Sequence, residues 1–325
     1  MKLTNPLRHP FRVPRVEKPR AEGRFFLPDG RRLGYAEFGD PSGEVVLWFH
    51  GSPGARRQFP LVGRRAAREL GLRVILIERP GSGMSDPHAY DAIADWATDM
   101  AHVADALGAE RLGVVGLSGG GPYALACGAI SPLADRVAAV AVLGGTVPSV
   151  GPDAVAGTVS DLARRFAPLI SALRGAMAAT TTGLVTPLIP LAHYAIQGVA
   201  GLMPEGDQIV FADPEIEGMF IDDILVCMKG GFQAIYGDAR LFGRDWGFRF
   251  ADVQVPVRWW HGDSDPIVSL PAAEQAVSRL PNGELVLLPG TSHLGGFAQA
   301  DKVLEFIRAQ LDESRESLVR DVDGL

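Results

Sequence analysis

Leu112-Gly113-Val114-Val115-Gly116-Leu117-Ser118-Gly119-Gly120-Gly121-Pro122 joins an apolar run to a serine set among glycines. Consecutive apolar positions suit a strand covered on both faces, and residues 119–130 have the composition of a helix. The G-x-S-x-G spacing from Gly116 to Gly120 fits a sharp strand-to-helix turn that lifts the serine clear of its neighbours. So tight a turn leaves no room for bulky side chains two residues before and two after the serine, and the helix N-terminus favours negative charge beside the serine oxygen. A phosphate-binding turn is the competing reading, but neither G-x-G-x-x-G nor G-x-x-x-x-G-K-[ST] fits these residues.

Similar apolar runs recur at residues 45–49, 74–78, 137–143, 255–260 and 285–288, alternating with helix-like stretches at 56–70, 90–107, 271–280 and 296–311. Ahead of them, residues 24–27 and 31–38 flank Pro28-Asp29-Gly30, which has the chemistry of a hairpin turn. The alternation predicts an α/β fold, a mostly parallel doubly wound sheet with the hairpin on one edge. Between Leu143 and Val255 lie 111 residues, whereas a strand-helix-strand unit needs on the order of 30. Residues 145–249 are therefore expected to form an inserted helical lid, exchangeable without dismantling a core built from 24–144 and 250–311. Within it, residues 175–204 carry no charge, but Pro187, Pro190, four threonines, His193 and Gln197 argue against a membrane span and for an apolar pocket roof, with a lid that leans on a membrane surface as the alternative.

Residues 1–23 hold six basic residues, two acids and four prolines, and read as a solvated extended arm. Removing the arm's +4 from the net −7 leaves −11 on the remaining chain, so the arm either lies on that acidic body or touches an anionic membrane surface. Residues 312–325 read as a charged, frayed tail. A chain of 325 residues, 47% hydrophobic and 21% charged, is neither disordered nor polytopic, and its acidic balance argues against nucleic acid as a partner. Cys127 and Cys227 are too few for a disulfide framework or a four-ligand zinc site; both are expected in the core, which suits a reducing cytoplasmic compartment.

A serine hydroxyl needs a base, and seven histidines are available. His9 lies in the arm, His88 before a helix, His102 within one and His193 in the lid, while His50 and His261 each end a strand. His293, in Pro289-Gly290-Thr291-Ser292-His293, follows the last strand on a loop that can reach the serine. The base in turn needs a carboxylate to fix its tautomer. None follows Leu143, but His261-Gly262-Asp263-Ser264-Asp265-Pro266 offers two, and spacing alone does not separate Asp263 from Asp265. A metal site built on His261, Asp263 and Asp265 is a rival reading of the same loop. Donors for a developing oxyanion are expected from the Gly119 N–H and from His50-Gly51-Ser52-Pro53-Gly54, where Ser52 can donate and Pro53 cannot.

Taken in order, His50–Gly54, Arg-Pro-Gly-Ser-Gly-Met-Ser-Asp at 79–86, Gly116–Pro122, His261–Val268 and Pro289–His293 resemble the α/β-hydrolase superfamily, in its lid-bearing serine hydrolase branch. The resemblance implies an eight-stranded sheet, Ser118, Asp265 and His293 as triad, Ser52 and Gly119 as oxyanion donors, and a lid after the sixth strand. It also makes residues 79–86 a loop near the site, with Ser82 and Ser85 not nucleophiles. Serine at 118 disfavours the epoxide hydrolases and haloalkane dehalogenases of that branch, whose nucleophile is aspartate. Proline iminopeptidases typically carry glycine where Ser52 stands and tryptophan where Gly119 stands, two departures from that reading. The expectation is a cofactor-free, metal-free serine esterase acting on a small-molecule ester or amide. Iminopeptidase or carbon-carbon hydrolase chemistry is the alternative, and a non-catalytic binding protein on the same fold is a third reading. The lid acids Glu205, Asp207, Glu215, Glu217, Asp222 and Asp223 could hold a substrate ammonium or simply form a solvated face.

Overall fold

Alternate residues of the apolar runs go to opposite sides of one sheet. Val45, Leu47 and Phe49 enter one core layer, and Val46 and Trp48 enter the other, so a strand buried on both faces has no position left for a polar side chain. The computed structural model describes residues 16–156, 205–230 and 233–323. Its strands are β1 Ala21–Phe26, β2 Arg32–Gly39, β3 Glu44–Phe49, β4 Leu72–Ile77, β5 Leu112–Leu117, β6 Val137–Leu143, β7 Val257–Gly262 and β8 Gly283–Leu288. They form one sheet in the order β1-β2-β4-β3-β5-β6-β7-β8. β1–β2 and β2–β4 pair antiparallel and every other pair is parallel. The central strands β5 and β6 are wholly buried, whereas the edge strand β1 alternates exposed and half-buried positions. Each fully buried aliphatic side chain in these strands contributes about 1.5–3 kcal/mol.

On one side, α1 (Leu61–Glu69) packs against α8 (Ala300–Asp323); on the other lie α2 (Asp95–Leu107), α3 (Gly121–Ala129) and α7 (Leu270–Val277). Trp96 of α2 fixes that second layer, standing edge-on to Phe49 at 5.3 Å and to Tyr123 of α3 at 5.7 Å between ring centroids. The register aligns the strand ends: Phe49 faces Gly116, Leu117 faces Leu143, and Gly262 faces Leu288. The loops bearing His50–Ser52, Ser118, Asp265 and His293 therefore leave the same edge of the sheet, the carboxyl edge where ligands of open α/β sheets bind. Between β6 and β7 the chain inserts α4 (Glu205–Phe211), α5 (Pro214–Cys227) and α6 (Gln233–Phe242). The uncharged stretch 175–204 lies outside the described residues. Among those described, no helix is long and apolar enough to cross a membrane.

Several boundaries differ from the sequence expectation. β1 starts at Ala21, inside the expected arm, because Arg20 N–H donates to the Glu37 carbonyl at 2.8 Å and the Arg20 side chain pairs with the Glu37 carboxylate. Glu17 meets Arg68 at 2.7 Å, so residues 16–20 lie on the body; residues 1–15 lie outside the described residues. α1 begins at Leu61 and not at Arg56, whose guanidinium is drawn to Glu78 at 2.6 Å and Glu22 at 2.7 Å. The expected tail is helical through Asp323: Leu311 is buried, Arg308 bonds Asp312 one turn on at 3.0 Å, and Arg315 pairs with Glu44. Such side-chain pairs contribute only about 0.3–0.5 kcal/mol each where exposed, so Leu311 and the rest of the buried face do most to hold the helix. Cys127 and Cys227 are both buried and free.

Candidate active site

Ser118 directly follows β5 and opens a short 3-10 turn, Ser118–Gly120, that runs into α3. Its φ of +50° makes it the single non-glycine residue with positive φ among the described residues. Such a conformation costs about 1–3 kcal/mol and persists only where the surroundings impose it. The neighbouring glycines are part of that imposition. A Cβ at Gly116 would stand 2.4 Å from the Gly120 carbonyl oxygen, and one at Gly120 would stand 2.4 Å from that of Phe49. The turn can therefore fold back on the strand ends only with glycine at both positions.

His293, on the loop after β8, bridges the serine and the acid. Its Nε2 is 2.8 Å from Ser118 Oγ and its Nδ1 is 2.7 Å from Asp265 Oδ2. Asp265 is buried, and its Oδ1 accepts from the Ile267 N–H at 2.8 Å and the Val268 N–H at 3.0 Å. Burial alone would raise its pKa, but the hydrogen bond and charge of His293 and the two amides outweigh burial and hold the carboxyl below its usual range. Asp263 does not reach His293; its carboxylate accepts from the Gly290 N–H at 3.0 Å. The ambiguity left by spacing is thus resolved by which carboxylate the loop turns inward.

The other histidines are occupied differently. His50 Nδ1–H donates to the Gly51 carbonyl at 2.8 Å and its Nε2 accepts from the Arg79 N–H at 3.2 Å; burial, then the Arg79 charge, push its pKa well down and keep it neutral. His261 Nε2–H donates to the Val268 carbonyl at 2.9 Å, and burial lowers its pKa. His88 and His102 are exposed, and His9 and His193 lie outside the described residues. With His261 and Asp263 so engaged, the rival metal loop has no converging ligand set; among the described residues no three His, Cys, Asp or Glu side chains are grouped to hold an ion.

Ser52 and Gly119 are neighbours in space. A Cβ at Gly119 would lie 2.9 Å from Ser52 Oγ and 3.1 Å from the ring of Phe242, on α6. The two positions that depart from the iminopeptidase pattern therefore occupy one volume, with a hydroxyl where the second side chain would go. The first turn of a helix leaves its N–H groups without intrahelical acceptors, which frees the Gly119 amide. The Ser52 N–H also has no hydrogen-bond partner among the described residues. Ser82 and Ser85 are buried hydrogen-bonding residues, donating to the Gly54 and Glu78 carbonyls at 2.8 Å each.

The inserted helices meet the core through carboxylates. Asp207 accepts from the Leu294 N–H at 2.8 Å, and Asp223 from the Ala55 N–H at 2.9 Å and the Arg57 N–H at 2.8 Å. Asp222 bonds Arg57 at 3.0 Å. Asp207 and Asp223 are buried and belong to no solvated face, and burial, opposed by its two amides, lifts the Asp223 carboxyl to a pKa of about 7. Asp238, Arg79 and Tyr123 form a further buried cluster against Ser52. Arg79 stands in a motif already singled out; Asp238 carries no local sequence signal, because its partners lie 115 to 186 residues away.

A family model described as alpha/beta hydrolase family matches residues 45–306, most of the chain. The chain belongs to the alpha/beta hydrolase family. Among solved structures, an esterase from Thermogutta terrifontis superposes with a TM-score of 0.59 at 20% identity, covering 90% of this chain and 98% of that one. A bromoperoxidase from Bacillus anthracis gives 0.63 at 17% identity, covering 88% and 99%. At such identities the likeness concerns the fold. A proline iminopeptidase from Xylella fastidiosa is 33% identical over 111 residues, 33% of this chain and 35% of the relative's length. The match thus spans about a third of that curated relative's length.

Proposed function

We propose that this alpha/beta hydrolase is a serine hydrolase that cleaves a small-molecule carboxylic ester, with Ser118 as nucleophile, His293 as base and Asp265 as its orienting acid. The observation that carries the reading is the unbroken chain from Ser118 Oγ through His293 to Asp265, at 2.8 and 2.7 Å. His293 Nε2 takes the Ser118 proton as Oγ attacks the ester carbonyl, while Asp265 holds the other nitrogen as donor and balances the imidazolium charge. The N–H groups of Gly119 and Ser52 receive the oxyanion of the tetrahedral intermediate. His293 then protonates the leaving alkoxide, and a water activated by the same imidazole hydrolyses the acyl-enzyme. An apolar acyl group would sit under the inserted segment, with Phe242 beside Gly119 as one wall.

A second reading, iminopeptidase-like cleavage of an N-terminal residue, is favoured by the local likeness to proline iminopeptidases. It needs an acid for the substrate ammonium; of the six lid acids Asp207, Asp222 and Asp223 are engaged with the core, Glu205 and Glu215 are exposed, and Glu217 is half-buried, which weighs toward the ester. The test is labelling by a fluorophosphonate, followed by a panel of p-nitrophenyl esters and proline amides. Labelling that disappears in Ser118→Ala, with turnover down by about 10³-fold or more and the fold intact, is the expected result. Wild-type turnover in Ser118→Ala would end the assignment, and preference for proline amides over every ester would turn it to the second reading.

A further inference from the structure

Asp238 sits on α6 in the inserted segment, yet its carboxylate is buried in the core beneath. Its Oδ1 accepts from the Tyr123 hydroxyl at 2.8 Å and from Arg79 Nε at 3.0 Å; its Oδ2 accepts from Arg79 Nη2 at 2.8 Å and from the Ser52 hydroxyl. Burial, with Asp238 adjacent, raises the Tyr123 pKa well above its ordinary value, so the phenol stays protonated and donates. A buried ion pair of this kind is weak evidence for stability, because removing both charges from water costs about what their attraction returns. What it supplies is position.

Arg79 passes that position on. Its Nη1 donates to the His50 carbonyl at 2.5 Å and its Nη2 to the Gly51 carbonyl at 2.9 Å and to Ser52 Oγ at 2.8 Å. In a planar trans peptide the carbonyl and the N–H point in opposite directions. Fixing the Gly51 carbonyl on the guanidinium therefore turns the Ser52 N–H away from Arg79, while the Gly51 N–H is taken by Gln58 Oε1 at 2.5 Å. The Ser52 N–H is left without an acceptor among the described residues, next to Gly119.

We propose that Asp238 is a positioning residue for the oxyanion site: through Arg79 and the Ser52 hydroxyl it aims the Ser52 N–H, so that seating α6 on the core completes the second oxyanion donor. The proposal rests on the serine hydrolase reading. It assigns the inserted segment a share in the chemical step, beyond covering the substrate.

The experiment compares Asp238→Asn, Ser52→Ala and the double variant with the wild type, using a p-nitrophenyl ester and an arylboronic acid that mimics the tetrahedral intermediate. Ser52→Ala keeps the N–H and the buried ion pair and removes only the hydroxyl link, so it remains informative where Asp238→Asn fails to fold. Losing an oxyanion donor outright lowers kcat about 10²–10³-fold, so misaiming one should lower it about 10–100-fold. The expected result is that loss in kcat with KM within about threefold, and boronate affinity weakened in step with kcat. The double variant should lose little beyond Asp238→Asn, because the hydroxyl link cut by Ser52→Ala is one of the two routes through which Asp238 acts. Unchanged kcat in Ser52→Ala, a loss confined to KM, or fully additive losses would overturn the positioning role. Wild-type protein that neither labels with a fluorophosphonate nor turns over any ester would overturn the serine hydrolase reading itself; labelled wild type matched in turnover by the variants overturns only the role of Asp238.

Discussion

Asp265→Asn exchanges one oxygen for an amino group where neither orientation of the amide satisfies every partner. With its oxygen kept toward the Ile267 and Val268 N–H groups, the new NH2 faces His293 Nδ1, which must become an acceptor. The imidazole proton then moves to Nε2, and the lone pair that takes the Ser118 proton is gone. Flipping the amide restores the tautomer but sets NH2 against two N–H donors and loses two hydrogen bonds, each worth about 1 kcal/mol. A penalty of about 2 kcal/mol leaves only about one molecule in 30 in the productive orientation, and that fraction lacks the carboxylate charge opposite the imidazolium. Together these should lower kcat on the order of 10³–10⁴-fold, as in serine-protease triads, with the fold retained. Ester turnover beside calorimetric melting tests this, with Asp263→Asn as control, since that carboxylate serves the Gly290 amide and not the imidazole. Asp265→Asn turnover within tenfold of wild type, or an equal loss in Asp263→Asn, would refute the argument.

Asp223, pushed up to about 7 by burial, binds its proton more tightly folded than unfolded, where its ordinary value is 3.8. Its contribution to folding is full below about pH 4 and is lost as pH rises toward 7, by an amount on the order of a few kcal/mol. Urea unfolding of wild type and Asp223→Asn across pH 4 to 8 should show wild type losing ground with rising pH, and a pH-independent difference would contradict it. Gly120→Ala places a Cβ 2.4 Å from the Phe49 carbonyl oxygen and 2.8 Å from that of His50, so it should cost about 1–3 kcal/mol of stability and disturb turnover through the adjoining loop. A melting temperature equal to wild type would contradict the packing argument. Phe242→Ala should extend turnover toward bulkier acyl groups, read from relative kcat/KM along an ester series; an unchanged profile would remove Phe242 from the pocket wall. EDTA should leave activity unchanged while a fluorophosphonate abolishes it, and the reverse pattern would revive the metal reading of His261, Asp263 and Asp265.

The sheet could be read from sequence because its signals are local: six apolar positions in a row, or Gly116 and Gly120 flanking Ser118, report their surroundings within one short window. That His293 lies beside Ser118 was legible from its place on the loop after the last strand. The choice between Asp263 and Asp265 was not legible from spacing, since it depends on which of two neighbouring carboxylates meets a histidine 28 residues on. The lid acids were least legible. Whether Asp207 faces solvent or the Leu294 amide is decided by a contact 87 residues away, and nothing in the surrounding composition encodes it. Helix α8 outran its expected end because charged residues from 312 onward looked like a tail until their one-turn pairs were set on a helix.

The polar part of the seam between the inserted helices and the core is three carboxylates, each on its own donors: Asp207 on the Leu294 amide, Asp223 on the Ala55 and Arg57 amides, Asp238 on the Arg79 guanidinium. Apolar contacts such as Phe220 on Phe297 cross the same seam and would tolerate a foreign partner of similar shape, whereas each of these bonds has an address. A chimera given the corresponding segment of another family member would inherit acceptors that miss these amides, or amides that find no acceptor. Grafting a new specificity onto this core is therefore a problem of matching three carboxylates before it is a problem of shaping a pocket.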